Sequence, residues 1–214
     1  DFNDWKAFST GPRFGELAEG YRGKSGGNKV LAITYYGERQ VTSNKAINKP
    51  EDMKGLKIRV PDAPLYTMFP RAVGANPTPI AFAEVYLALQ NGTVDAQENP
   101  LPTIDAKKFY EVQKYIVLTG HITDALLTIV GAPTWAKLSD ADKKIFEEVF
   151  REAAARATNQ IIEIEAKLGA EFAKRGKEVV KVDRTPFRNA VAKMHNGPDA
   201  TWDKATYDKL QALK

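Results

Sequence analysis

One helical pattern constrains this chain more than any other feature: it runs from Ser139 to about Gly176 with only Gly169 as an interior breaker. Ser139 stands where an N-cap belongs. Asp142, three residues on, puts a carboxylate near the positive end of the dipole, close to a capping box. A helix of that length exceeds the diameter of one small domain. It predicts two lobes with a helix spanning both, and 214 residues suffice to bury a core.

Upstream, short apolar runs alternate with helical stripes. Val30-Leu31-Ala32-Ile33 has the length and continuity of a strand buried on both faces, and the chain stays extended from Thr34 to Asn44. Asn48 reads as the cap of a short turn opened by Pro50, Glu51 and Asp52 and ended by Gly55. Leu56, Ile58 and Val60 then alternate with Lys57 and Arg59, so both cations leave the face opposite the aliphatic residues. A helix is predicted over Ala63–Val73, kinked or shortened by Pro70, with Asn76-Pro77-Thr78-Pro79 as a rigid connector. Phe82, Val85, Tyr86 and Leu89 make a helical stripe, Thr93–Gln97 a short strand and Asn99-Pro100 a turn. Leu101–Val112 reads as mostly helical, Tyr115–Leu118 as a strand and Leu126–Val130 as a further buried strand. Strands alternating with helices and short loops give an α/β protein with mostly parallel sheets.

Composition narrows the chemistry. With no cysteine there is no disulfide, thiolate ligand or cysteine nucleophile, and His121 and His195 have no metal-pair spacing, so no metal or other cofactor is implied. The formal charge of +4 comes from 31 basic residues interleaved with 27 acidic ones, without a basic block or a nucleic-acid motif. Small anions are the expected partners. No apolar run approaches membrane-spanning length. The start, DFNDWKAFST, lacks an initiating Met and a signal pattern, as in a processed chain or one that begins inside a longer protein. No nucleophile–base pair, phosphate loop or metal cluster marks an enzyme; Glu84 or Glu98 would be the base if it were one.

Three segments carry a resemblance: GERQVTSNKAIN followed by KGLKIRVP, then GANPTPIAFAEVYLALQNGTVDAQENPL, then KFYEVQKY with TGHI. Together they resemble the substrate-binding proteins of tripartite ATP-independent periplasmic (TRAP) transporters, most closely the sialic-acid-binding type. The resemblance implies a two-lobed periplasmic-binding-protein clamshell, here about a third short at its front, whose precursor carries a signal peptide. By analogy lobe one comprises residues 1–36 and 125–164, and lobe two residues 37–124 and 165–214. It implies a monomer in the periplasm that captures a sugar-acid monocarboxylate and hands it to TRAP membrane permease subunits. A C4-dicarboxylate or keto acid is the alternative ligand, and a receptor-feeding module an alternative use of the fold.

The same resemblance assigns residues. Arg59 takes the place of the arginine that clamps the ligand carboxylate, chemistry that suits the planar two-donor guanidinium fork. Arg39 is a second arginine facing the ligand, Asn99 an amide donor to the same carboxylate, and Phe82 an aromatic wall. Asp62 stands where sialic-acid binders tend to have asparagine. A carboxylate only accepts hydrogen bonds, which shifts the expected ligand towards hydroxyl-rich uronates or aldonates. Glu98 and His121 are expected behind these residues, orienting Arg39 or Asn99.

Overall fold

The structure, a computed structural model, describes residues 1–213. In chain order its elements are α1 (Phe2–Thr10), α2 (Pro12–Lys24), β1 (Lys29–Ser43), β2 (Lys57–Val60), α3 (Pro64–Ala72), β3 (Asn76–Pro79), α4 (Val85–Gln90), β4 (Ala96–Pro100), α5 (Leu101–Ala106), β5 (Tyr115–Val130), α6 (Ala132–Lys137), α7 (Asp140–Lys174), β6 (Glu178–Val180), α8 (Arg184–Ala192) and α9 (Lys204–Gln211). This α/β chain divides into two compact units. At 1.5 Å per residue the 35 residues of α7 span about 52 Å. Residues of α7 up to Ile164 belong to unit 1, and those from Glu165 to unit 2. Ser139 caps this helix: its Oγ accepts from the Asp142 amide at 3.1 Å and donates to the Asp142 carboxylate at 2.6 Å. No helix among the described residues is long and apolar enough to cross a membrane.

Unit 1 contains Asp1–Gly37, Thr123–Ile164 and the tail from Asp208. The Tyr35 ring meets Phe2 and Trp5 edge-on at 5.1 and 5.4 Å, fastening α1 to β1. The Tyr35 amide donates to Thr158 Oγ1 at 3.1 Å, fastening β1 to α7. Leu126, Leu127 and Ile129, expected to be buried, are instead 52%, 49% and 42% exposed. A continuous apolar run is buried only where layers cover both faces of a strand, and among the described residues these three side chains stay open to solvent.

Unit 2 contains Glu38–Ile122 and Glu165–Tyr207. Its strands follow the order β3-β2-β4-β1-β5-β6. The sheet is mixed: β2 pairs in parallel with β3 and β4, β5 in parallel with β6, and β1 antiparallel with β4. Val41, Ile58 and Ala96 pack with Phe69 of α3 and Phe187 of α8, while Ile116 packs with Val85, Leu89, Ile104, Phe109 and Phe172. Alternation along the strands thus supplies two cores, one on each side of the sheet.

Several local expectations change. Asn76–Pro79 is an edge strand rather than a connector, a position in a sheet where prolines without N–H donors fit. Asn99 and Pro100 end a strand, with Gln40 opposite Asn99 and Arg39 opposite Pro100, and α5 follows without a turn. That helix stops at Ala106, and Lys108 takes a left-handed φ of 56° before a single 3-10 turn at Phe109–Glu111. The cap at Pro50 is reversed: Asp52 reaches back to accept from the Asn48 and Lys49 amides at 2.9 and 3.1 Å. Pro70 leaves α3 only two further residues, and the Ala75 amide closes its end on the Pro70 carbonyl at 2.9 Å. His195 is half-buried against Trp202 and Tyr207.

Candidate ligand-binding site

Strand register assembles the site. Arg59 of β2 lies beside Gln97 of β4, and Gln97 lies opposite Thr42 of β1. Paired positions project to the same face, so three polar side chains form a row across the sheet, with Asn99 one pleat beyond Gln97. Lys57 and Arg59 share a parity but not a fate. Lys57 is exposed, whereas Arg59 is 3% exposed, because the segment carrying Ile80 and Phe82 lies over it. Arg59 Nε and Nη2 both donate to the Ile80 carbonyl, at 2.9 and 2.7 Å. Its Cζ is 5.7 Å from the Phe82 ring centroid. Among the described residues no ion pair joins Arg59 to a carboxylate. Burial draws its pKa down; Glu98's charge opposes that shift and the Arg39 charge adds to it.

Arg39 is bound differently. Its Nε and Nη2 engage both Glu98 carboxylate oxygens, at 2.5 and 2.9 Å, a two-pronged pair between side chains 3% and 1% exposed. Arg39 Nη2 also donates to the Glu98 carbonyl at 2.9 Å and to Asn99 Oδ1 at 3.2 Å, and its Cζ lies 4.8 Å from the Tyr66 ring centroid. Glu98 Oε2 is also 3.2 Å from His121 Nε2, whose Nδ1 is 2.7 Å from Thr119 Oγ1. A carboxylate only accepts, so Nε2 carries the imidazole proton and the Thr119 hydroxyl donates to Nδ1. Phe69 stacks on that imidazole at 3.8 Å. Burial pushes the Glu98 pKa up, but the hydrogen bonds from His121 and Arg39 and the Arg39 charge more than reverse it, leaving it below 4.5. Burial draws His121 below 6.5 despite Glu98. The cluster therefore holds a carboxylate, a guanidinium and a neutral imidazole.

Arg39, Arg59, Glu98, Asn99 and His121 are thus brought together at one end of β2 and β4. Phe82 joins them from the single 3-10 turn before α4, not from the helix; it is 40% exposed and within 6.1 Å of Phe109. Asp62 is exposed just past β2, without an ion pair among the described residues. Tyr66, Phe69, the Ile80 carbonyl, and Thr42, Gln97 and Gln113 also belong to the site and were not singled out from the sequence. Strand register brings in Thr42 and Gln97, and three-dimensional contacts bring in the others. No group of three or more His, Cys, Asp or Glu able to hold a metal occurs among the described residues.

Comparison with known proteins shows the family. The family model "Bacterial extracellular solute-binding protein, family 7" matches residues 2–198. The sialic acid-binding periplasmic protein SiaP of Vibrio cholerae is 42% identical over 185 residues, covering 86% of this chain and 58% of that protein. The chain therefore spans less than two thirds of that relative's length. A TRAP periplasmic solute binding protein from Polaromonas, bound to D-erythronate, is 35% identical with a TM-score of 0.90, over 100% of this chain and 70% of that one. Another, from Haemophilus influenzae with bound L-gulonate, is 28% identical with a TM-score of 0.93, over 100% and 71%. This chain belongs to the bacterial extracellular solute-binding proteins of family 7, the substrate-binding proteins of TRAP transporters.

Proposed function

We propose that this protein captures a sugar-acid monocarboxylate (a uronate, aldonate or sialate) through Arg59 and delivers it, as a periplasmic monomer, to the membrane permease of a TRAP transporter without transforming it. The observation that carries this reading is the unequal state of the two arginines. Arg39 is neutralised by Glu98, whereas Arg59 is buried and, among the described residues, has a carbonyl and the Phe82 ring beside it but no carboxylate. A desolvated cation without a counter-ion is unfavourable until an anion arrives, and the guanidinium fork suits a carboxylate. One such cation calls for one carboxylate. Phe82 offers its ring to the ligand's apolar edge, and the exposed, acceptor-only Asp62 favours hydroxyls over carbonyls. The relatives named above that were found with ligands hold hydroxylated acids, in keeping with this.

A C4-dicarboxylate or keto acid is the second reading, and Lys107 favours it: its Nζ lies 5.5 Å from the Phe82 ring centroid and could meet a second carboxylate. A thermal-shift panel of L-gulonate, D-erythronate, N-acetylneuraminate, a hexuronate and succinate separates the two. A ligand at 100 times its Kd adds about 2.7 kcal/mol of stability. Stabilisation by a hydroxy monocarboxylate but not by succinate is the expected result. Stabilisation by succinate that is lost in Lys107→Ala overturns it in favour of the dicarboxylate. Mass spectrometry of the recovered acid should find it unchanged.

A further inference from the structure

Asn99 sits within a one-way chain of hydrogen bonds. Arg39 Nη2 donates to Asn99 Oδ1 at 3.2 Å, Asn99 Nδ2 to Gln97 Oε1 at 2.7 Å, and Gln97 Nε2 to Thr42 Oγ1 at 3.1 Å. The Thr42 hydroxyl then donates to Gln113 Oε1 at 3.1 Å, and Gln113 Nε2 donates to the Val112 carbonyl at 3.2 Å. Thr42, Gln97, Asn99 and Gln113 are each 3% exposed or less, so water does not replace a missing partner.

The direction of this chain is fixed at both ends. A guanidinium has no acceptor, so the Asn99 atom facing Arg39 must be its oxygen. A carbonyl has no donor, so the Gln113 atom facing Val112 must be its nitrogen. Both ends impose the same polarity on the amides and the hydroxyl between them. Reversing a single amide would set donor against donor, or acceptor against acceptor, inside a buried layer. Asn99 thereby keeps one Nδ2 hydrogen with no partner in the chain among the described residues, while its oxygen is committed to Arg39.

We propose that Thr42, Gln97 and Gln113 are positioning residues that determine specificity: they lock the Asn99 amide so that it offers the bound acid a donor and never an acceptor. The inference rests on the acid-binding function proposed above and deepens it. At this point the site recognises a carboxylate or hydroxyl oxygen and rejects a ligand group that can only donate.

Thr42→Val keeps the side-chain volume and cuts the chain, and Thr42→Ser restores the hydroxyl. Titration calorimetry with L-gulonate, D-erythronate and N-acetylneuraminate as probes should show Thr42→Val weakening whichever binds by about three- to tenfold. Thr42→Ser should stay within about twofold of wild type. Because Thr42 acts through Asn99, the penalty should vanish in an Asn99→Ala background. A penalty that persists there marks a merely structural role and overturns the proposal, as does an unchanged Kd in Thr42→Val. If Thr42→Val does not fold, Gln113→Met breaks the next link, and the same cycle with Asn99→Ala decides. If none of the three acids binds the wild type, it is the proposed function that falls. The hydrogen-bond chain is then tested alone: the Asn99 side-chain amide resonance of the ligand-free protein should move in Thr42→Val and return in Thr42→Ser. A resonance that stays put overturns the chain itself.

Discussion

Replacing Arg59 by methionine should separate binding from folding, with opposite signs. The guanidinium is 3% exposed, has no carboxylate partner among the described residues, and gives both its protein hydrogen bonds to the Ile80 carbonyl. Without ligand, the charge is a liability, since burying an ion opposes folding by several kcal/mol. Its depressed pKa has that burial as its largest cause. Methionine keeps an unbranched stem and drops the charge. Against this gain, the Ile80 carbonyl loses its donors, at about 1–3 kcal/mol. The opposing effects predict that urea unfolding of ligand-free Arg59→Met stays within about 2 kcal/mol of wild type, or is more stable. Binding responds quite differently. Removing one partner of a desolvated charge pair is worth about 3–5 kcal/mol, or about two to four decades in Kd. Arg59→Lys keeps the charge but not the fork, and should lose about one to two decades. Titration calorimetry with the acid selected by thermal shift measures both. A folded Arg59→Met with Kd within about tenfold of wild type refutes the carboxylate anchor. Lost stability with an unchanged Kd would make Arg59 a structural residue instead.

Arg39→Met should destabilise the protein by about 3–5 kcal/mol, because it strands Glu98, which is 1% exposed; adding Glu98→Gln should recover most of the loss in urea melts. A single mutant as stable as wild type would mean that Glu98 is not held by Arg39. Acid should weaken the fold in two stages. His121 and Glu98 both have folded pKa values below their ordinary 6.5 and 4.5, so the unfolded chain takes up each proton first. Stability should therefore be fully present above about pH 6.5, fall first through His121 and fall again through Glu98 below about pH 4.5. A urea-melt series that is flat from about pH 7 to about pH 4 would contradict these protonation states. Gly120→Ala should destabilise by about 1–3 kcal/mol, since φ is +51° and a Cβ would run into the Arg184 guanidinium. Arg184→Met should relieve the steric part but not the dihedral strain. An additive double mutant would show that no contact exists.

Much of this was legible in the sequence. The long helix was written in an uninterrupted periodicity, the alternation around Ile58 located β2, and the cap at Ser139 followed from one hydroxyl and one carboxylate. What was hidden depends on pairing partners distant in sequence. Asn99-Pro100 carries turn chemistry, yet pairing with Arg39 and Gln40 across β1 makes it a strand end. The prolines of Asn76–Pro79 hid a strand because an edge position tolerates them. Leu126–Val130 has the composition of a buried strand, but composition cannot say which layers are there to bury it.

The two arginines show the limit most sharply. By residue type, Arg39 and Arg59 are equal candidates for a ligand carboxylate. They differ because Val41 of β1 is paired with Glu98 of β4, which places the Glu98 carboxylate within reach of Arg39, whereas Arg59 has Gln97 beside it on one strand and Thr78 on the other. An amide and a hydroxyl cannot neutralise a guanidinium. The register thus makes one arginine a structural charge that sets the direction of the hydrogen-bond chain through Asn99, and leaves the other without a carboxylate partner among the described residues. A shift of β4 by one residue would move Glu98 to the opposite face. On the function proposed above, the selectivity of the site would depend on the hydrogen-bond register of three strands as directly as on any side chain within it.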